Sequence, residues 1–151
     1  MRKVLLFLLL AVAAPANAAT GPYDEAADAK AQVQAALAEA RKAKVPVLVV
    51  FGANWCGDCK VLDIAFKEGR SAALIAKSFK VVKVDVGRFD RNTDVAEEYG
   101  VPLRVGIPAV VVLSGLGKVM YATKAGELAD ARKLGDKGIY DFFSKVAAAA
   151  K

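Results

Sequence analysis

Apolar and polar residues alternate along this chain with periods that change several times, and each change marks an element. Over residues 23–42, Ala29, Val33, Leu37 and Ala40 recur at the spacing of a single helical face, set among Glu, Gln and Lys. A helix is predicted there. Residues 45–51 form a continuous β-branched run with Pro46 near its start, where a missing amide donor is tolerated, and read as a buried strand. After the loop 52–59, Leu62, Ala65 and Phe66 return to helical spacing, and the pattern weakens near Gly69. Residues 79–86 read as a second strand. Asn92, Thr93 or Asp94 can cap a short helix that stops at Gly100. Residues 109–113 and 118–122 flank Ser114-Gly115-Leu116-Gly117, a connection suited to a hairpin, and residues 139–149 close with a helical pattern. No period assigns residues 123–138 to an element.

The apolar run 4–14 belongs to a different kind of segment. Arg2 and Lys3 precede it and the small residues Ala16-Asn17-Ala18 follow it, the layout of a cleavable secretory signal. It is well short of the roughly 20 apolar residues that span a bilayer, and no Cys near its end offers a lipid attachment. Residues 1–18 are therefore predicted to be a signal peptide and 19–151 a single domain, exported to the periplasm or an equivalent compartment. The mature protein is expected to be soluble and monomeric, with no stable membrane insertion.

Charge and composition narrow the chemistry. The formal net charge is +6, but Arg2 and Lys3 leave with the signal, and the remaining Lys and Arg residues are scattered among acids. They form no dense stripe of the kind a phosphate backbone demands, so nucleic acid is not an expected partner. The chain has no His, which excludes nucleophilic hydrolysis with a histidine base and counts against copper delivery. Two Cys would supply only half of a structural metal site, so no metal is predicted. Asp85, Asp90 and Asp94 lack the ordered ligand series of a calcium loop and read as loop caps.

The chemistry concentrates in Trp55-Cys56-Gly57-Asp58-Cys59-Lys60. Two cysteines separated by two residues at the start of a helix can close and open a small disulfide ring. Unpaired amides and the macrodipole at a helix N-terminus favour a thiolate, so Cys56 is the predicted nucleophile. Cys59, one turn further in, is the predicted resolving thiol that attacks the mixed disulfide and releases the partner. A purely structural disulfide is the plainer alternative, since exported proteins commonly carry them.

The order strand, Trp-Cys-x-x-Cys, helix, strand, then Gly106-Ile107-Pro108 leading into a hairpin and a final helix, resembles the thioredoxin family over roughly residues 45–146. The resemblance implies an α/β, three-layer fold, a central mixed β-sheet flanked by helices, and thiol-disulfide exchange without an external cofactor. It implies that Pro108 is cis beside the cysteine pair, that Ile107 pairs strand-like with a substrate peptide, and that Trp55 lies against the nucleophile. Lys83 matches a lysine on the neighbouring central strand. Val50 stands where cytoplasmic thioredoxins carry a buried Asp, and Asp58 where a Pro is common. Asp58 therefore either relays a proton for Cys59, as Lys83 could, or is a solvated acid of the first helical turn. The stretch 101–106 is longer than the matching turn of thioredoxin. With no imidazole between the cysteines to stabilise a thiolate, the expected activity is reduction of protein disulfides, with electrons supplied by a membrane thiol-transfer protein. Oxidase or isomerase activity, and a redox-silent binding or chaperone module on the same fold, remain the alternatives.

Overall fold

The computed structural model describes residues 21–150, so the predicted signal of residues 1–18 lies outside the described residues. The sheet is built around β1 (Val47–Gly52), whose six residues are all buried. Helices cover both of its faces, which is why its sequence is a continuous apolar run rather than an alternating one. β2 (Lys80–Asp85) lies parallel to β1, pairing Val50 with Lys83 and Gly52 with Asp85. β3 (Ala109–Leu113) lies antiparallel on the other side, and β4 (Val119–Ala122) completes the hairpin, giving the order β2-β1-β3-β4. The sheet is mixed and the fold is thioredoxin-like, as the sequence implied.

Successive residues of β1 feed opposite cores. Val47, Val49 and Phe51 face α1 (Ala29–Ala43), while Leu48 and Val50 face α2 (Gly57–Lys67), α3 (Ser71–Ser78) and α5 (Ala131–Ala149). α4 (Thr93–Glu98) and a 3₁₀ turn (Leu103–Val105) lie on the connection from β2 to β3.

Four elements differ from the sequence pattern, each for a local reason. α1 begins after residue 23 because the Asp28 carboxylate caps it, accepting the Ala31 amide at 3.0 Å. α3 leaves no period in the sequence because it is short and buries only Ser71 and Ile75. α5 begins inside the unassigned stretch 123–138, and Gly135 interrupts it at φ 64° and ψ 179°, so its apolar period does not run across the break. Asn92 occupies the cap position of α4, but its side chain donates to the Asp85 carbonyl at 2.8 Å rather than accepting from the helix.

The core on the side of α2, α3 and α5 is keyed by Phe143, which is fully buried and meets Phe66 edge to face with ring centroids 4.9 Å apart. Phe143→Ala should cost about 3 kcal/mol of unfolding free energy, from the lost transfer energy and the cavity together. Urea denaturation measures this; a loss below about 1 kcal/mol would mean that α5 is not clamped to the sheet there.

Candidate active site

β1 delivers the chain to a loop that turns directly into α2, and the two cysteines straddle that turn. Cys56 takes the N-cap position of α2 in an extended conformation, and its sulfur accepts the Cys59 amide at 3.1 Å. The sulfur thus occupies the place where an N-cap oxygen ordinarily satisfies a free amide. Cys56 and Cys59 are joined as a disulfide with their Cα atoms 5.2 Å apart. Cys56 retains 5% of its surface exposed and Cys59 none, so the outer sulfur is the only one a partner can approach without opening the fold.

Trp55 is half exposed beside the pair. Its indole N–H donates to the Gly87 carbonyl at 2.7 Å, its ring meets Phe89 edge-on, and the Arg88 guanidinium lies over it at 5.8 Å. On the other side the Ile107–Pro108 bond is cis, and the Ile107 carbonyl oxygen stands 3.7 Å from the Cys56 sulfur. The structure therefore brings Trp55, Cys56, Cys59, Ile107 and Pro108 to one place. The stretch 101–106 contains the 3₁₀ turn; Val101 and Leu103 are buried and Val105 is exposed.

The two charged residues singled out from the sequence are both engaged in ion pairs. Asp58 is nearly buried, and its carboxylate accepts three bonds from Arg132: the backbone amide at 2.9 Å, Nε at 3.2 Å and Nη2 at 2.9 Å. The hydrogen bonds and charge of Arg132 hold the Asp58 carboxyl below the usual carboxylate range. This clasp ties the first turn of α2 to the first turn of α5. Lys83 points its ammonium at the Asp63 carboxylate on α2, one turn beyond Cys59. Burial pulls Lys83 below the usual lysine value, while the carboxylate beside it favours the charged form.

A second group of residues behind the pair was not legible from motif or period. Residues 21–25 fold back against the active-site loop, where Asn54 accepts the Tyr23 amide at 3.0 Å and donates to the Tyr23 carbonyl at 2.8 Å. Arg91 braces the same segment by donating to the Glu25 carbonyl at 3.1 Å, and it also reaches Asp85 at 3.5 Å. Asp85 is almost fully buried, and burial pushes its carboxyl up against the opposing pull of the Gly87 amide and Arg91.

This arrangement matches a known one: a family model described as thioredoxin-like covers residues 28–115. The chain belongs to that family. It is similar to a disulphide isomerase from Xylella fastidiosa Temecula1, whose crystal structure is 56% identical with a TM-score of 0.81 over 85% of this chain and 98% of that one. It is similar to thioredoxin 1 of Chlorobaculum tepidum, 34% identical over 55% of this chain and 73% of the relative. It also matches thioredoxin 1 of Nostoc sp., 39% identical over 50% of this chain and 63% of that relative's length. The C-terminal domain of Neisseria meningitidis DsbD in its oxidised form shares the fold, with 22% identity and a TM-score of 0.52 over 79% of this chain and 96% of that one. With its cysteine pair in the family's arrangement, this thioredoxin-like protein is a thiol-disulfide oxidoreductase.

The Asp58–Arg132 clasp gives a test on acid stability and on thiol reactivity. A carboxyl whose folded value is depressed adds stability that is complete above its unfolded value and is lost as pH falls through the folded one. Between about pH 5 and pH 3, the wild-type urea midpoint should fall more steeply than that of Arg132→Gln. The variant also leaves the Asp58 anion uncompensated beside Cys56, so alkylation of Cys56 at pH 7 should slow several-fold. Parallel acid profiles and equal alkylation rates would show that the pair does not tune the site.

Proposed function

We propose that this protein reduces disulfides in protein substrates of an exported compartment, with Cys56 as nucleophile and Cys59 as resolving thiol. The observation that carries the reading is the asymmetry of the pair, an outer sulfur at a helix N-cap and an inner one sealed from water. The Cys56 thiolate attacks one sulfur of the substrate disulfide, which breaks, and the other sulfur leaves as a thiolate that takes up a proton. Cys59 then attacks Cys56, the Cys56–substrate bond breaks, and the second substrate thiol departs. Two electrons have passed from the dithiol to the substrate, leaving the Cys56–Cys59 disulfide.

The substrate backbone pairs along Ile107, whose carbonyl faces the outer sulfur, with Trp55 and Phe89 forming the apolar wall opposite. Asp58 and Lys83, both held in ion pairs, act by positioning α2 rather than by carrying protons. Regeneration requires a dithiol donor, and because nicotinamide reductants stay inside the cell, a membrane thiol-transfer protein fits the role. Isomerase activity is the second reading, and the Xylella relative described as a disulphide isomerase supports it.

Trp55 is the only tryptophan and abuts the pair, so its fluorescence reports the redox state. Equilibration in graded thiol-disulfide buffers should give a potential near or below about −230 mV. A value near −180 mV, with repair of a scrambled disulfide substrate, would favour the isomerase, and one near −120 mV would indicate disulfide formation. Cys59→Ala should accumulate substrates as mixed disulfides on Cys56. If no such adduct forms with any disulfide substrate, the assigned roles of the two thiols are wrong.

A further inference from the structure

A polar side chain from outside the motif lies close behind the inner sulfur. Gly52 ends β1 without a β-carbon, and the space left free is bordered by two groups. A β-carbon built there would stand 2.2 Å from the Tyr23 hydroxyl oxygen and 2.9 Å from the Cys59 sulfur. The phenol and the inner sulfur therefore converge on one point behind the pair. Both are sealed from water, with Tyr23 1% exposed and Cys59 fully buried.

The phenol is brought there by a built device rather than by loose packing. Two hydrogen bonds to Asn54, immediately before Trp55, fix the Tyr23 backbone, and the Arg91 bond to the Glu25 carbonyl fixes the chain on its other side. Burial first, and then the nearby Asp85 charge, push the Tyr23 phenol far above its ordinary value. It stays protonated throughout the working range and is a hydrogen-bond donor, not a base.

We propose that the Tyr23 hydroxyl donates a hydrogen bond to the Cys59 sulfur in the reduced protein and so sets both the ease of resolution and the redox potential. The inference rests on the dithiol reading above. A thiolate accepts such a bond strongly because it is charged, whereas a sulfur within a disulfide is a weak acceptor, so the bond favours the reduced, ionised form. In the resolving step the Cys59–Cys56 bond forms, the bond from Cys56 to the substrate breaks, and the substrate sulfur leaves with the electron pair. The proton lost by Cys59 balances the one gained by the departing thiol.

Tyr23→Phe keeps the ring and both backbone bonds to Asn54 while removing only the hydroxyl. The equilibrium of the variant with glutathione should shift about tenfold toward the disulfide, equivalent to a potential about 30 mV more negative. Release of a preformed mixed disulfide from Cys56 should slow about tenfold, with the alkylation rate of Cys56 and the melting temperature of the oxidised form unchanged. A wild-type equilibrium and release rate in the variant would overturn the proposal. So would an equal loss of melting temperature in both redox forms with the equilibrium unmoved, which would make Tyr23 a packing residue. A wild-type protein that exchanges no electrons with glutathione would overturn the dithiol reading together with this one, whereas normal wild-type exchange beside an unaltered variant overturns only the role of Tyr23.

Discussion

The hydrogen bond from the Cys59 amide to the Cys56 sulfur is the interaction on which the site depends. A helix that starts here leaves its first amides without partners, and Cys56 supplies a sulfur where other helices supply an oxygen. That substitution makes the cap and the reactive atom the same atom. Any charge that develops on Cys56 is met by the Cys59 amide already pointing at it and by the positive end of the α2 dipole. The remaining structure serves to hold α2 at this angle. β1 fixes where the loop starts, the ion pair between Asp63 and Lys83 secures α2 against β2, and the clasp between Asp58 and Arg132 secures it against α5.

The charges around the pair are arranged so that no unpaired carboxylate faces the sulfurs from α2. An acid between the cysteines would by itself oppose a thiolate, yet Arg132 neutralises it through a two-pronged guanidinium and a backbone amide. The buried carboxylate of Asp85 is partly met by Arg91 and the Gly87 amide. The outer face is by contrast apolar and cationic, with Trp55 and Phe89 exposed and Arg88 above the indole. In the proposed cycle a partner approaches the outer sulfur across an apolar wall, while the inner sulfur is met from within the fold, by Cys56 and the Tyr23 side chain.

Much of this was legible in the sequence because the informative residues are local. The pair, Trp55 and the helix that follows are contiguous, and Pro108 stands at the entry to a β-branched run that could only be a buried strand. The partners that tune the site were not legible, since each comes from a segment whose local pattern points elsewhere. Tyr23 reads as the first turn of α1 until the Asp28 cap shows where that helix starts. Arg132 lies in a stretch where Gly135 breaks the helical period, and nothing in the local pattern of α2 singles out Asp63 as the partner of Lys83. Sequence spacing locates what is covalently near the cysteines; the sheet register and helix packing decide what is spatially near them.

The most direct test of this account is to map alkylation of each cysteine in the reduced protein as a function of pH. Cys56 should react alone, with a midpoint well below the about 8.5 of a free thiol, while Cys59 stays protected until the protein unfolds. Equal labelling of the two cysteines, or a Cys56 midpoint at or above that of a free thiol, would contradict the view that the cap of α2 creates the reactive sulfur.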